Sequence, residues 1–127
     1  MHKSTDYCFA CGSANPIGLR LQFRDEGEAC VCELIPGEYF QGWQGMLHGG
    51  IIATLLDEVM AHWCFRRGHM IVTAELSVRF RKPVPIGQKL RVWAKAVGQK
   101  HKVFFLEAVL EKDGEILAEG KGKLVEV

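Results

Sequence analysis

Leu47-His48-Gly49-Gly50-Ile51-Ile52-Ala53-Thr54-Leu55-Leu56-Asp57-Glu58 is the stretch that decides the fold, together with its continuation to Gly68. It opens on a glycine pair and then runs on without proline. Apolar side chains at Ile52, Leu55, Leu56, Val59, Met60 and Trp63 follow the i, i+3, i+4, i+7 spacing of a helix. Ala53 and Ala61 fill much of the remaining circumference, and a helix apolar over most of its surface is normally buried. Arg66 and Arg67 fall in the expected last turn and Gly68 just past it, the usual C-terminal signals. Asp57 and Glu58 in the middle of such a helix require a partner, because a buried carboxylate is costly unless paired or hydrogen-bonded.

The rest of the chain predicts strands. Residues 18–24 alternate Leu19, Leu21 and Phe23 with Arg20, Gln22 and Arg24. Residues 25–28 turn the chain, and 29–35 return as the second arm of a hairpin. Pro36-Gly37 ends that arm, and 38–46 form a loop that delivers the chain to the helix. After Gly68 come a long strand over 71–81, with Thr73, Glu75, Ser77 and Arg79 sharing one face, and a turn over 83–87. Strands over 89–97 and 103–111 follow, and Asp113-Gly114 is a tight hairpin signal into 116–125. One long buried helix with five or six hairpin-connected antiparallel strands is an α+β layer arrangement.

The 127 residues predict one domain over 1–127, with a cysteine-containing segment at 1–17 and no repeat or linker. Sixteen basic against fifteen acidic residues give no electrostatic case for nucleic acid or a membrane as partner. No apolar run reaches membrane-spanning length, and Met1-His2-Lys3-Ser4-Thr5-Asp6 does not read as a secretory signal. Five cysteines, an odd number, then point to reduced thiols and a cytoplasmic protein. Cys8-Phe9-Ala10-Cys11 has the spacing of half a zinc site, and Cys30-Val31-Cys32, one residue tighter than usual, would have to supply the rest. Free thiols are the simpler reading. No strand–helix pattern surrounds the pair to suggest a thioredoxin-like redox motif.

His48-Gly49-Gly50, followed after six residues by Asp57, resembles the signature of the hot-dog-fold acyl-CoA thioesterases, in the phenylacetic-acid-degradation branch. Residues 72–83 resemble that family's long strand after the helix, and residues 8–19 an N-terminal segment found in some members. The resemblance implies a hot-dog fold, a sheet wrapped around one long helix. It also implies hydrolysis of an acyl-CoA or aryl-CoA thioester, with coenzyme A as part of the substrate and no further cofactor.

Thioester hydrolysis needs a base or nucleophile at the carbonyl carbon and positive potential at its oxygen. A Gly-Gly helix start offers free N–H groups, the positive end of the dipole and no obstructing side chain. The N–H of Gly49 is assigned as main oxyanion donor, as the resemblance also implies, with Gly50 beside it against the substrate. Asp57 acts as general base or attacks directly; the residues alone leave both routes open. Eight residues separate Gly49 from Asp57, about 12 Å along a helix. One chain therefore cannot close the site, whereas two chains with antiparallel helices can. The resemblance implies the same composite site, hence a homodimer, with dimers pairing into a tetramer.

Other residues have two readings each. His48 either bonds the substrate carbonyl or fixes the loop. Thr73 aligns with a hydroxyl that, by the resemblance, holds the attacking water; otherwise it is a solvent-facing strand residue. Glu58 can pair with His62 at i+4. His62, His69 and His101 show no metal-ligand spacing with one another, so no catalytic metal is expected. Where the family often carries an amide side chain before His-Gly-Gly, this chain has Gly42, with Gln41 and Gln44 beside it as substitutes. Arg79, Arg81, Lys82, Lys100 and Lys102 are candidates for the coenzyme A phosphates. Met60, Trp43 and Phe40 are candidates for the acyl pocket. A hydratase or dehydratase on the same fold, and a non-catalytic acyl-CoA-binding module, remain as alternatives.

Overall fold

A computed structural model describes residues 5–127. Met1-His2-Lys3-Ser4, part of the stretch read as lacking a secretory signal, lies outside the described residues. Among these residues six strands and one α-helix, with a short 3-10 turn at Glu38–Phe40 before it, follow in the order β1 (Arg24–Glu26), β2 (Ala29–Leu34), α1 (Gly49–Arg66), β3 (Ile71–Phe80), β4 (Leu90–Lys100), β5 (Val103–Lys112) and β6 (Glu115–Glu126). They form one sheet in the spatial order β1-β2-β4-β5-β6-β3, and every pairing is antiparallel. No helix among the described residues is long and apolar enough to cross a membrane.

The hydrophobic spacing of α1 does what it predicts on one face. Ile52, Leu55, Leu56, Val59, Met60 and Cys64 are buried against the sheet. The sheet covers only that face, however. Ala53, Thr54, Asp57, Glu58 and Ala61 are half-buried in the single chain, so the helix is less enclosed than its composition suggests. Asp113 and Gly114 take φ values of 51° and 83°, the mirror-image turn that suits a two-residue hairpin.

The sequence does not announce how closely α1 approaches β6. A Cβ on Gly122 would stand 3.0 Å from Met60 Cε and 3.0 Å from Leu124 Cδ1, and one on Gly120 would stand 3.3 Å from Leu56 Cβ. Both glycines are buried mid-strand, where they give the helix room to settle onto the sheet. Met60 is spent in this contact: it is fully buried in the core and is not available to an acyl group, contrary to expectation.

The strand expected over residues 18–24 is not formed. Those residues run alongside the N-terminal segment instead, with Leu19 N–H bonded to Phe9 O at 2.9 Å and Leu21 N–H to Ala10 O at 2.9 Å. Arg20, at φ 53°, interrupts the extended run, and the hairpin turns at Gly27 (φ 60°) after only three strand residues. Cys30 and Cys32 are buried in the core on β2 and do not join Cys8 and Cys11.

Gly122→Val is expected to lower the unfolding free energy by about 1–3 kcal/mol, the usual cost of forcing extra carbons into a packed core. Gly98→Ala, whose added Cβ would meet Phe105 at an ordinary 3.8 Å, is expected to be nearly neutral. Urea unfolding of both variants checks this; equal midpoints would show that the β6 contact is not tight.

Candidate active site

The helix start is built by a clamped loop. Leu47 N–H bonds Val84 O at 2.7 Å and His48 N–H bonds Phe40 O at 2.9 Å, which fixes where α1 begins. His48 is the N-cap residue, and its Nδ1 accepts from Gly50 N–H at 2.8 Å. Its carbonyl oxygen accepts from Ile51 and Ile52 at 2.9 and 3.0 Å. One donor of the first turn is left over: among the described residues, nothing accepts from Gly49 N–H. Gly49 is exposed, so this N–H faces open space at the positive end of the helix. Gly50 therefore differs from Gly49, because its N–H is already satisfied by His48. Through Nδ1 His48 fixes the helix start, while the rest of its exposed ring lines the cavity beside it.

Gly42 has a steric reason to be glycine. A Cβ there would lie 3.3 Å from His48 Cα, so the amide side chain of the resembling family would crowd the backbone that begins α1. Gln41 holds the loop by accepting from Gly45 N–H at 2.8 Å through Oε1, while Gln44 is exposed. Beside the helix start lies a cavity of about 630 Å3, lined by Phe9, Ile17, Tyr39, Phe40 and Ile51 together with His48 and Gly50. Of these, Phe40 is the one apolar residue the sequence points to. Phe9, Ile17 and Tyr39 escape it, because nothing periodic marks an apolar side chain in an irregular segment. Trp43, largely exposed, lines a second cleft with Gly49, Ile52 and Phe80.

Two turns along α1 stands Asp57. Thr73 Oγ1 donates to Asp57 Oδ1 at 2.7 Å. Alternation alone would place Thr73 on the same face as Glu75, Ser77 and Arg79. A bulge between Thr73 and Glu75 breaks the register and sends Thr73 to the helix side, as bulges beside functional sites often do. Thr73 then pairs with buried Leu124, while Glu75 meets Lys123 at 3.1 Å on the outer face. Burial pushes the Asp57 carboxyl above its usual range; the Thr73 hydroxyl opposes that shift, and Glu58 adds to it.

Glu58 belongs to a different environment. His62 Nε2 lies 3.2 Å from Glu58 Oε2, the i+4 pair the sequence suggests, and the Phe23 ring stacks on His62 at 4.0 Å. Burial alone would raise the Glu58 carboxyl, but hydrogen bonds from His62, Cys11 and Cys8 outweigh it and hold the group below its usual value. Elsewhere, His69 bonds Glu126 and His101 is exposed in the β4–β5 turn.

The candidate phosphate ligands divide into two sets. Arg81 is paired with Glu119 and Lys82 with Glu115, so neither is a free cation. Arg79, Lys100 and Lys102 are exposed and have no ion-pair partner among the described residues. Along one chain, then, Asp57 and Thr73 meet, His48 and Gly50 meet, and the free Gly49 N–H stays eight residues from Asp57.

Comparison with known proteins identifies the family and the fold. The sequence pattern of the Thioesterase superfamily matches residues 44–119, from the loop before α1 into β6. The chain is 30% identical to mouse acyl-coenzyme A thioesterase 13 over 98 residues, covering 74% of this chain and 70% of that protein. It also matches mouse acyl-coenzyme A thioesterase THEM5 at 32% identity over 65 residues, 51% of this chain, but spans only 26% of that longer protein. The fold is similar to zebrafish thioesterase superfamily member 2, with a TM-score of 0.79 at 20% identity over 97% of this chain and 94% of that one. It is also similar to a phenylacetic acid degradation-related protein of Ralstonia eutropha, with a TM-score of 0.75 at 21% identity over 83% of each chain. The matched segment carries Gly49, Asp57 and Thr73 together, and by that match over more than half its length the chain belongs to the thioesterase superfamily.

Proposed function

We propose that the protein hydrolyses an acyl-CoA or aryl-CoA thioester to the free acid and coenzyme A, at a site that two copies of the chain build together. The observation that carries this reading is the separation on α1 of two halves of one active site. An unpartnered Gly49 N–H stands at its start, and a half-buried Asp57 tied to Thr73 stands two turns later. About 12 Å along the helix divides them, too far for one carbonyl group to touch both. Antiparallel apposition of two such helices puts each Asp57 beside the other chain's Gly49. Mouse acyl-coenzyme A thioesterase 13 bears the activity in its name and supports the substrate class.

In this assembly the thioester oxygen accepts from Gly49 N–H. Asp57 of the partner subunit takes a proton from water as the water oxygen attacks the carbonyl carbon. Negative charge on the carbonyl oxygen is then met by the N–H and the helix dipole. Collapse breaks the C–S bond, and the departing thiolate takes up the proton held by Asp57. Burial raises the proton affinity of Asp57, which suits a general base. Thr73 occupies Oδ1 and leaves Oδ2 to receive the proton. The apolar cavity beside His48 and Gly50 takes the acyl or aryl group, and its volume suits a small to medium one. Of the candidate phosphate ligands, Arg79, Lys100 and Lys102 are the ones free to meet coenzyme A phosphates.

The dimer has a ready surface in β3. This ten-residue strand ends the sheet beyond β6, leaves one edge unpaired and is exposed along most of its length. Such an edge is a template for pairing with a second copy. Five unpaired thiols suit a reducing compartment such as the cytoplasm.

Four outcomes test the reading. Asp57→Asn is expected to lower kcat by at least about 100-fold, the lower range for loss of a general base, while binding of acyl-CoA persists. In single turnover with 18O-labelled water the label should enter only the free acid; label recovered in the protein would mean that Asp57 attacks directly. The base must be ionised, so kcat/KM falls as pH drops through the Asp57 value. Thr73→Val removes the donor that favours the charged form, so the acid limb should move to higher pH. An unmoved limb would detach Thr73 from the chemistry. Finally, specific activity should fall on dilution in step with the dimer fraction measured by mass photometry. Full turnover by a monomer would contradict the shared site.

A further inference from the structure

The segment before β1 meets the middle of α1 at a cluster that the reaction does not use. One sulfur each from Cys8 and Cys11 and a carboxylate oxygen from Glu58 lie within 4.8 Å of one another, all half-buried, the only such group among the described residues. Cys8 Sγ is 3.7 Å from Glu58 Oε2. In a tetrahedral zinc site with Zn–S near 2.3 Å and Zn–O near 2.0–2.2 Å, a sulfur and an oxygen ligand stand about 3.6 Å apart. The observed separation, a thiol–carboxylate hydrogen bond here, matches the edge of such a tetrahedron.

The surroundings are those of a ligand cage. Cys11 N–H donates to Cys8 Sγ at 3.4 Å, a backbone bond that fixes where that sulfur points. The turn closes so tightly after Cys11 that a Cβ on Gly12 would stand 2.3 Å from Asp6 O and 2.5 Å from Cys8 N. Only glycine fits there. His62, held flat against Phe23, bonds the same Oε2 of Glu58 and fixes the carboxylate toward the sulfurs. Glu58 points about 100° around the helix from Asp57, so the cluster is separate from the reacting carboxylate.

We propose that Cys8, Cys11 and Glu58 bind one zinc ion, with His62 as the residue that positions Glu58, and that this ion staples the N-terminal segment to α1. Two thiolates with a carboxylate suit zinc better than the oxygen-seeking cations. The segment has reason to need a staple: it forms no strand, and among residues 5–23 only Ala10, Gly12 and Leu21 are buried. By spacing, Cys30 and Cys32 are the one other cysteine pair that could complete such a site; the fold supplies a helix carboxylate instead. One consequence rests on the proposed thioesterase reading. Phe9, between the two cysteines, and Ile17 form a wall of the acyl cavity, so the ion would hold that wall in place.

The test is metal binding by the whole protein, read without substrate. Protein purified without chelator should carry about one zinc per chain, and Cys8→Ser and Cys11→Ser should carry almost none. Cys64→Ser, at a buried thiol outside the cluster, should keep its zinc. Should the Cys8 and Cys11 variants fail to fold, wild-type protein stripped of metal decides the matter. It should take up one equivalent of Co2+, giving thiolate-to-cobalt absorption and the visible bands of tetrahedral cobalt. His62→Phe should weaken that uptake without changing its stoichiometry. A folded wild-type protein that neither contains zinc nor binds Co2+ stoichiometrically overturns the proposal. If metal is bound, stripping it should raise KM for acyl-CoA more than it lowers kcat. A protein that binds zinc but hydrolyses nothing would keep the site and refute only the thioesterase reading.

Discussion

The rise of an α-helix governs how this molecule can work. Gly49 and Asp57 lie on one rigid rod, and no side-chain rotation brings a donor and an acid two turns apart onto one carbonyl group. His48 sharpens the constraint by satisfying Gly50 N–H, which leaves a single free donor at the tip. The sheet sharpens it further, since it covers one face of α1 and leaves the face with Asp57 half-open. In the reading proposed above, local chemistry and global shape therefore both leave the site half made in a single chain.

Holding that rod in place falls to the opposite face. Gly120 and Gly122 let Leu56 and Met60 approach the β6 backbone, and the depth of this contact sets the height of Asp57 above β3. The bulge in β3 then turns Thr73 toward the helix at that height. A regular strand would aim Thr73 outward and leave the Asp57 carboxylate without its donor. Packing on one side of the helix and irregularity in the edge strand thus jointly define one hydrogen bond.

Much of this is legible in the sequence. The 3.6-residue period from Ile52 to Trp63 and the alternation over β4, β5 and β6 are strong because each element buries one face. The Asp113-Gly114 turn is equally readable from its φ preference, and the Glu58–His62 pair follows from helix geometry. Residues 18–24 mislead because alternation reports a half-buried extended chain, and that chain pairs with the N-terminal segment instead of a strand. The bulge is invisible because nothing at Ala74 marks an extra residue. Met60 reads equally well as core or pocket, since both are apolar. Arg81 and Lys82 look like free cations until Glu119 and Glu115 are brought across the sheet. What a sequence cannot supply is proximity between residues far apart in the chain, and Cys11 beside Glu58 is the clearest case.

Subunit complementation tests the shared site most directly. If each site draws on both chains, Asp57→Ala and Gly49→Val proteins are inactive alone, but a mixed dimer pairs an intact Gly49 from one with an intact Asp57 from the other. Random reassociation of equal amounts should restore about one quarter of wild-type activity, since half the dimers are mixed and each has one whole site. No recovery, from partners shown to exchange subunits, would place both groups in the service of a single chain and contradict the shared site.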